Sequence, residues 1–334
     1  MQTEVAKILE TSEEKSQKAL EKAGQIIREG GLVVFPTETV YGLGADATNE
    51  KAAKSIFEAK GRPADNPLII HLYSVEEAEK YTYTNSLYYK IAKAFMPGPI
   101  TVILRARDNV PRTVTAGLDT VAVRIPVHPV AREFIKKAGV PIAAPSANLS
   151  GSPSPTCFKY AFSDMNGRVS MIIDGGESEF GLESTIVKIE DEDTLTLLRP
   201  GAVTVEDLKT VCENVIISDA VLAALKEGER VLSPGMKYKH YAPKTEFLLL
   251  DGDFRARFDY ISKREGRIAL LCYDEEMLEF ESIIPKPLLL SLGRRDELKD
   301  QAKMLFTRLR DADTLGADEI YATLPKLDGI GMAL

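Results

Sequence analysis

Apolar residues recur at helical spacing between residues 11 and 30, where Ala19, Leu20, Ala23, Ile26 and Ile27 share a face and Gly30 and Gly31 supply a stop. Thr11 and Glu14 stand at the spacing of a capping box, so the helix is expected to open there. The pattern then changes period. "LVVF" (32 to 35) is a short apolar run between glycine and proline, the mark of a strand buried on both faces, and it breaks at once into the polar turn "PTETVYGLG". A second helix is expected from near Asn49 to Gly61, with Ala52, Ala53, Ile56 and Phe57 as its apolar stripe. "PLIIHL" reads as a strand, Ser74 with Glu77 as the capping box of a further helix, and "MPGPITVILRAR" as a turn into a strand.

Two more apolar strands, "TVAVRIP" (120 to 126) and "VPIAAPSAN" (140 to 148), flank a helix at about 129 to 138. Both run directly into polar residues, and strand ends are where such sheets place ligands. Short strands at 168 to 174, 184 to 190 and 194 to 199 follow so closely that some must pair antiparallel. After "LLRPGAV" the composition loosens, and "ERVLSPGMKYKHYAPK" (229 to 244) has prolines, glycine and tyrosines but no apolar period, as a linker would. Beyond it "TEFLLLD", "GRIALLCYD", "KPLLLSLG" and "EIYATLP" alternate with helical stretches, the longest from about Arg295 to Gly316, which is the pattern of a small parallel α/β unit. The expected organisation is a mixed α/β domain over residues 1–208, a linker over 209–244 and a smaller α/β domain over 245–334.

The length of 334 residues, 44% of them hydrophobic, suits about two domains. There is no run of 18 apolar residues and no basic start leading into an apolar core, so neither a membrane span nor a signal peptide is indicated, and a cytoplasmic protein is expected. Cys157, Cys212 and Cys272 lie too far apart for a metal knuckle and read as reduced structural thiols. With His71, His128 and His240 as the three histidines, no protein metal site is expected. A net charge of −8 argues against a surface that coats nucleic acid but leaves room for a local basic face.

Three constellations carry candidate chemistry. In "KGRP", Lys60 and Arg62 flank a glycine, a compact charge beside a planar fork suited to phosphate or carboxylate; a solvated helix C-terminus explains the same pair. In "PSANLSGSPSP", a strand ends in Ser146 and Asn148 and continues through glycine and serines, which can cradle phosphate or ribose oxygens or form a plain surface loop. In "GLESTIVKI", Ser184 and Thr185 enter a strand after a glycine-rich turn, and Arg199 and Gly201 follow in "LLRPG"; taken singly these are a strand former and a surface charge. His71, inside "LIIHL", reads on its own as a core histidine. The chain has no P-loop, no Gly-x-Gly-x-x-Gly and no Gly-x-Ser-x-Gly, so any nucleotide must be held by another architecture.

Taken together, "FPTETVYGLGAD", "KGRPADNPLIIH", "VAVRIPVHP", "PSANLSGSPSPT", "GLESTIV" and "LLRPGAV" closely resemble the threonylcarbamoyl-AMP synthase family, whose catalytic portion is a YrdC-like domain, over about residues 15 to 205. "SPGMKYKHYAP" and the region after it look like the longer, two-domain members, which commonly continue past "GIGMA", whereas this sequence stops at Leu334; the expectation is either a truncated or an incompletely ordered tail. The resemblance implies a twisted mixed sheet with a concave cavity and an appended Rossmann-like unit. It also implies a reaction, in which L-threonine, bicarbonate and ATP give threonylcarbamoyl-AMP, diphosphate and water. Downstream proteins then use the product to modify the adenosine beside the anticodon of certain tRNAs. Carried over by motif, Lys60, Arg62, Ser146 and Asn148 are the catalytic set. Arg62, Asn66, Thr120, Ser146, Ser154 and Arg199 are ATP contacts, and Tyr241, in a possible lid from Ser233 to Pro243, is another. Thr39, His71, Arg124, Ala144 and Thr185 form the threonine pocket, with Ala144 acting through its backbone and Thr37 as a second candidate beside Thr39.

That chemistry accounts for the residue types. The threonine amine takes up CO₂ from bicarbonate and the carbamate oxygen attacks the α-phosphate, so the site must gather several anions, and cations with nucleotide-borne Mg²⁺ suffice. No nucleophilic side chain is needed, and Cys157 keeps a structural role. Two other readings stand beside this one. A carbamoyl-adenylate module of hydrogenase maturation would carry CxxC pairs and an acylphosphatase unit, and neither is seen. A non-catalytic protein using the same fold would bind RNA in a salt-sensitive way.

Overall fold

The computed structural model describes residues 2–222, 243–326 and 329–334, which build two separate β-sheets. The larger sheet has eleven strands in the spatial order Glu4–Lys7, Met171–Asp174, Val33–Phe35, Gly42–Asp46, Ile142–Ala143, Ile69–His71, Thr120–Arg124, Ile100–Arg105, Thr185–Ile189, Thr194–Arg199 and Asn214–Ile217. Its pairings are mixed. Ile69–His71 runs parallel to Thr120–Arg124, with His71 opposite Arg124, while Gly42–Asp46 runs antiparallel to both Val33–Phe35 and Ile142–Ala143.

Helices cover both faces. Glu14–Arg28 and Pro129–Ala138 pack through Leu20, Ala23, Ile27, Val130, Phe134 and Ile135 onto Val33 and Phe35. The two helices come so close that a Cβ on Gly24 would stand 2.7 Å from the Lys137 backbone, so glycine is required there. On the opposite face, helix Glu50–Lys60 buries Ala52, Ala53, Ile56 and Phe57. The Asn49 side chain accepts from the amides of Lys51 and Ala52 at its start, and Gly61 closes it at φ 62°.

The smaller sheet is four parallel strands in the order Glu246–Leu250, Glu319–Thr323, Ile268–Cys272 and Leu289–Ser291. Helix Phe254–Ile261 lies on one face, and the 17-residue helix Leu298–Thr314 on the other, as in a doubly wound unit. Leu298–Thr314 also faces the larger sheet. Arg310 makes two hydrogen bonds to Asp164, at 3.1 and 2.7 Å, and two more to the Pro153 carbonyl, and Thr307 meets Thr156 at 2.9 Å.

The structure departs from the sequence expectations at several points. The first helix starts at Glu14 and its N-cap, Glu13, makes no side-chain cap, so the Thr11 box is not formed; Thr11 instead offers its carbonyl to Gln17. At Ser74 the Glu77 carboxylate does accept the amides of Tyr73 and Ser74, but the element it opens is a short 3₁₀ turn, Glu76–Lys80. Strand "VPIAAPSAN" shortens to Ile142–Ala143. Asn214–Ile217 pairs in parallel with Thr194–Arg199, so the segment expected as a linker over 209–244 begins inside the larger sheet. Among the described residues no helix is long and apolar enough to cross a membrane.

Candidate functional site

The strand "VVF" delivers its polar continuation to the floor of a cleft. Its wall includes Thr37, Gly42, Lys60, Arg62, His71, Arg124, Ala144, Ser146, Asn148, Glu183, Ser184 and Arg199. Four cations therefore face one carboxylate there, Lys60, Arg62, Arg124 and Arg199 against Glu183, in a protein whose overall charge is −8. Such local excess of one sign in a walled cleft favours anions.

The side chains arrive from several elements far apart in sequence. Lys60 ends its helix and is buried; its ammonium touches the carbonyl of Ser146, the carbonyl of Asn148 at 2.6 Å and the Asn148 Oδ1 at 3.3 Å. Burial, with the Arg62 guanidinium as the second cause, pushes its pKa down to about 7. Three acceptors nevertheless use all three protons of the charged form, so in this arrangement Lys60 is an ammonium that staples the Ser146–Asn148 turn. Within that turn the Ser146 hydroxyl donates to Asn148 Oδ1 at 2.6 Å, and the Asn148 amide donates to the carbonyls of Leu149 and Ser152. The turn is pinned from below as well, since Leu43 donates its amide to the Pro145 carbonyl and Ala147 to that of Tyr41.

His71 and Arg124 end adjacent parallel strands. The His71 ring is buried edge-on to Phe35, with Nδ1 3.3 Å from the Ile69 carbonyl. Burial and then the Arg124 charge push its pKa down to about 3, so it stays neutral through the physiological range. Arg199 donates from Nε and Nη2 to the carbonyl and hydroxyl of Ser184, which sets Glu183 3.7 Å away. Glu183 in turn accepts from the Ser154 hydroxyl at 2.6 Å.

The cleft thus gathers Lys60, Arg62, Ser146, Asn148, Arg199, His71, Arg124 and Ala144 of the residues the sequence pointed to. Of the two threonines, Thr37 lines the wall, while Thr39 is buried behind it with its hydroxyl 3.0 Å from that of Thr37. Ser154 is fully buried and reaches the cleft only through Glu183. Thr185 is buried and bonded both ways to Val203, and a Cβ on Gly201 would meet it at 2.5 Å. Thr120 opens the strand that Arg124 closes, four residues from the cleft wall. Asn66 is fully buried with neither its carboxamide oxygen nor its nitrogen hydrogen-bonded. Tyr241 and all but Pro243 of the expected lid from Ser233 to Pro243 lie outside the described residues. Sequence reasoning gave no role to Glu183, although it sits inside the quoted "GLESTIV"; a carboxylate in a motif full of hydroxyls was the available signal.

A mixed sheet holding four cations, two hydroxyl-rich turns and a neutral histidine around one cleft defines a protein that assembles small anionic ligands. The comparisons narrow this class. Residues 25–201 match the Sua5/YciO/YrdC family model, described as "Telomere recombination", and residues 203–334 match "Threonylcarbamoyl-AMP synthase, C-terminal domain". The chain is 42% identical over 323 residues to the threonylcarbamoyl-AMP synthase of Pyrococcus abyssi, covering 93% of this chain and 90% of that one. It is 40% identical over 318 residues to that of Bacillus subtilis, covering 94% and 90%. The crystal structure of P. abyssi Sua5 complexed with L-threonine superposes with a TM-score of 0.89 at 40% identity, covering 99% of this chain and 95% of that one. The chain belongs to the threonylcarbamoyl-AMP synthase family.

Proposed function

We propose that this cleft joins L-threonine, bicarbonate and ATP into threonylcarbamoyl-AMP, with release of diphosphate and water. The observation that carries the reading is the convergence of Lys60, Arg62, Arg124 and Arg199 from three separate segments onto one wall. Three reactants that are each anionic at a carboxylate, a carbonate or a phosphate need such a wall to be held together. In this reading Arg62, Ser146, Arg199 and the turn stapled by Lys60 take the triphosphate. Asn66, Thr120 and Ser154 serve the rest of the nucleotide, and the unpaired Asn66 carboxamide gains partners when it is bound. Arg124 takes the threonine carboxylate, with His71, the Ala144 backbone, and Thr37 or Thr39 around the side chain, and Thr185 supporting that wall.

No group of three or more metal-ligating side chains occurs among the described residues, and Glu183 is the single acidic residue of the cleft wall. That donor set fits Mg²⁺ held mainly by phosphate oxygens and water, with Glu183 and the serine hydroxyls nearby. Bound there, the ion would neutralise charge on the phosphates. The protein's own part is positioning: fixed donors at the phosphates, a neutral imidazole beside the amino acid, and a buried floor that keeps water from the carbamate. Residues 1–208 are the catalytic domain in this reading and 245–334 a second domain. The product passes to a transferase acting on tRNA in the cytoplasm.

The test is diphosphate release from ATP with L-threonine and bicarbonate, against L-serine and against no amino acid. Release that depends on both threonine and bicarbonate is expected. Release indifferent to threonine would overturn this reading, and salt-sensitive RNA binding without any turnover would replace it with the RNA-binding alternative.

A further inference from the structure

Arg124 is gripped from behind the cleft wall. Its Nη2 lies 2.6 Å from Glu38 Oε1, and both side chains are almost fully buried, at 4% and 2% exposure. The second carboxylate oxygen accepts the amides of Val127 at 3.2 Å and His128 at 3.4 Å, at the start of helix Pro129–Ala138, where the helix dipole favours a negative charge. The Glu38 carbonyl also accepts the amide of Phe180. Glu38 is thus tied to three other parts of the chain, and it does not line the cleft. Arg124 does line it, and its buried Nε has no hydrogen-bond partner.

A guanidinium carries five donors in a rigid plane, so holding one nitrogen fixes the direction of all the others. A buried arginine without a carboxylate would also be an indiscriminate anion trap in a cleft that must admit bicarbonate and phosphate as well. We propose that Glu38 is the positioning residue for the amino-acid substrate. It holds Nη2, and with it the plane of the guanidinium that Arg124 presents in the cleft wall, and it offsets the charge that would draw other anions to Arg124. The proposal rests on the reading above that Arg124 receives that carboxylate.

Glu38→Gln keeps the shape of the side chain but removes its charge and turns one acceptor into an NH₂ that must face either Arg124 Nη2 or the Val127 and His128 amides, donor against donor in both cases, so the charged grip on Arg124 is weakened while the fold has every other contact. The expected result is a rise of about tenfold or more in the KM for L-threonine, with the KM for ATP and kcat changed less than about threefold and the far-UV circular dichroism of wild type. A general loosening would move both KM values together. Should Glu38→Gln fail to fold, Glu38→Asp retains the charge and shortens the reach by one methylene, and the same split is expected in smaller measure. L-threoninamide is run beside L-threonine in all proteins. If wild type uses the amide as readily as the acid, the role of Arg124 falls, and that of Glu38 with it. If wild type rejects the amide but the Glu38 variants shift both KM values together or neither, the inference about Glu38 alone is overturned.

Discussion

Acidification is expected to destabilise this fold by a definite amount through His71, because the folded protein gives that imidazole nowhere to put a second proton. Its ring is buried between the sheet and Phe35, beside the Arg124 charge, and its pKa is pushed from 6.5 down to about 3. The sign follows from proton counts. Between those two values the unfolded chain binds a proton that the folded chain refuses, so stability is present above 6.5 and is lost as pH falls toward 3. From about pH 7.5 to about pH 5 the unfolded imidazole goes from mostly neutral to almost fully charged while the folded one hardly titrates, which amounts to about 2 kcal/mol. His71→Asn retains a donor near the position of Nδ1 and removes the titration. The protein has no tryptophan, so urea unfolding is followed by far-UV circular dichroism at both pH values. Carboxylates and the other two histidines contribute equally to both proteins, and the wild type should lose about 2 kcal/mol more than His71→Asn. Equal losses would mean that His71 is protonated in the folded state and that its burial beside Arg124 is not felt as charge repulsion.

The staple and the docking helix give two further expectations. Lys60→Ala should abolish diphosphate release, as should Arg62→Ala, but only Lys60→Ala should speed amide hydrogen exchange across residues 146 to 152, because its ammonium holds the carbonyls of Ser146 and Asn148. Arg310→Ala leaves Asp164 buried with the Leu149 amide as its remaining contact, and should cost about 3–5 kcal/mol as a broken buried ion pair. It should also raise the KM for ATP although residue 310 lies outside the cleft; thermal unfolding and ATP titration of the rate check the two halves.

Local signals were legible in the sequence where they suffice to define an element. Asn49 and Gly61 bracket a helix that begins and ends where expected, since a side-chain cap and a left-handed glycine act within one turn. The strand Gly42–Asp46 was hidden, because "GLGAD" has little strand propensity. Its glycines are there for neighbours the sequence does not name: a Cβ on Gly44 would stand 2.8 Å from Ile142, and one on Gly42 3.0 Å from Phe35. The site shows the same division. The motifs announced Lys60, Arg62, Ser146 and Asn148, but not that the lysine is committed to the Ser-Asn turn rather than held free over the cleft. Nor could spacing decide between Thr37 and Thr39, whose hydroxyls touch while one of them lines the wall. The pairing of Glu38 with Arg124, 86 positions apart, is a product of the folded sheet alone.

The Ser146–Asp164 segment is clasped at one end by Lys60 and at the other by Arg310, a residue of the second sheet's longest helix. Free energies of coupling are reciprocal. If docking of that helix makes the segment a better receptor for nucleotide, bound nucleotide must hold the helix in place by the same factor. ATP would then act on this protein as a fastener between its two sheets as well as a reactant, and its consumption in each turnover would loosen the very joint that its arrival tightened.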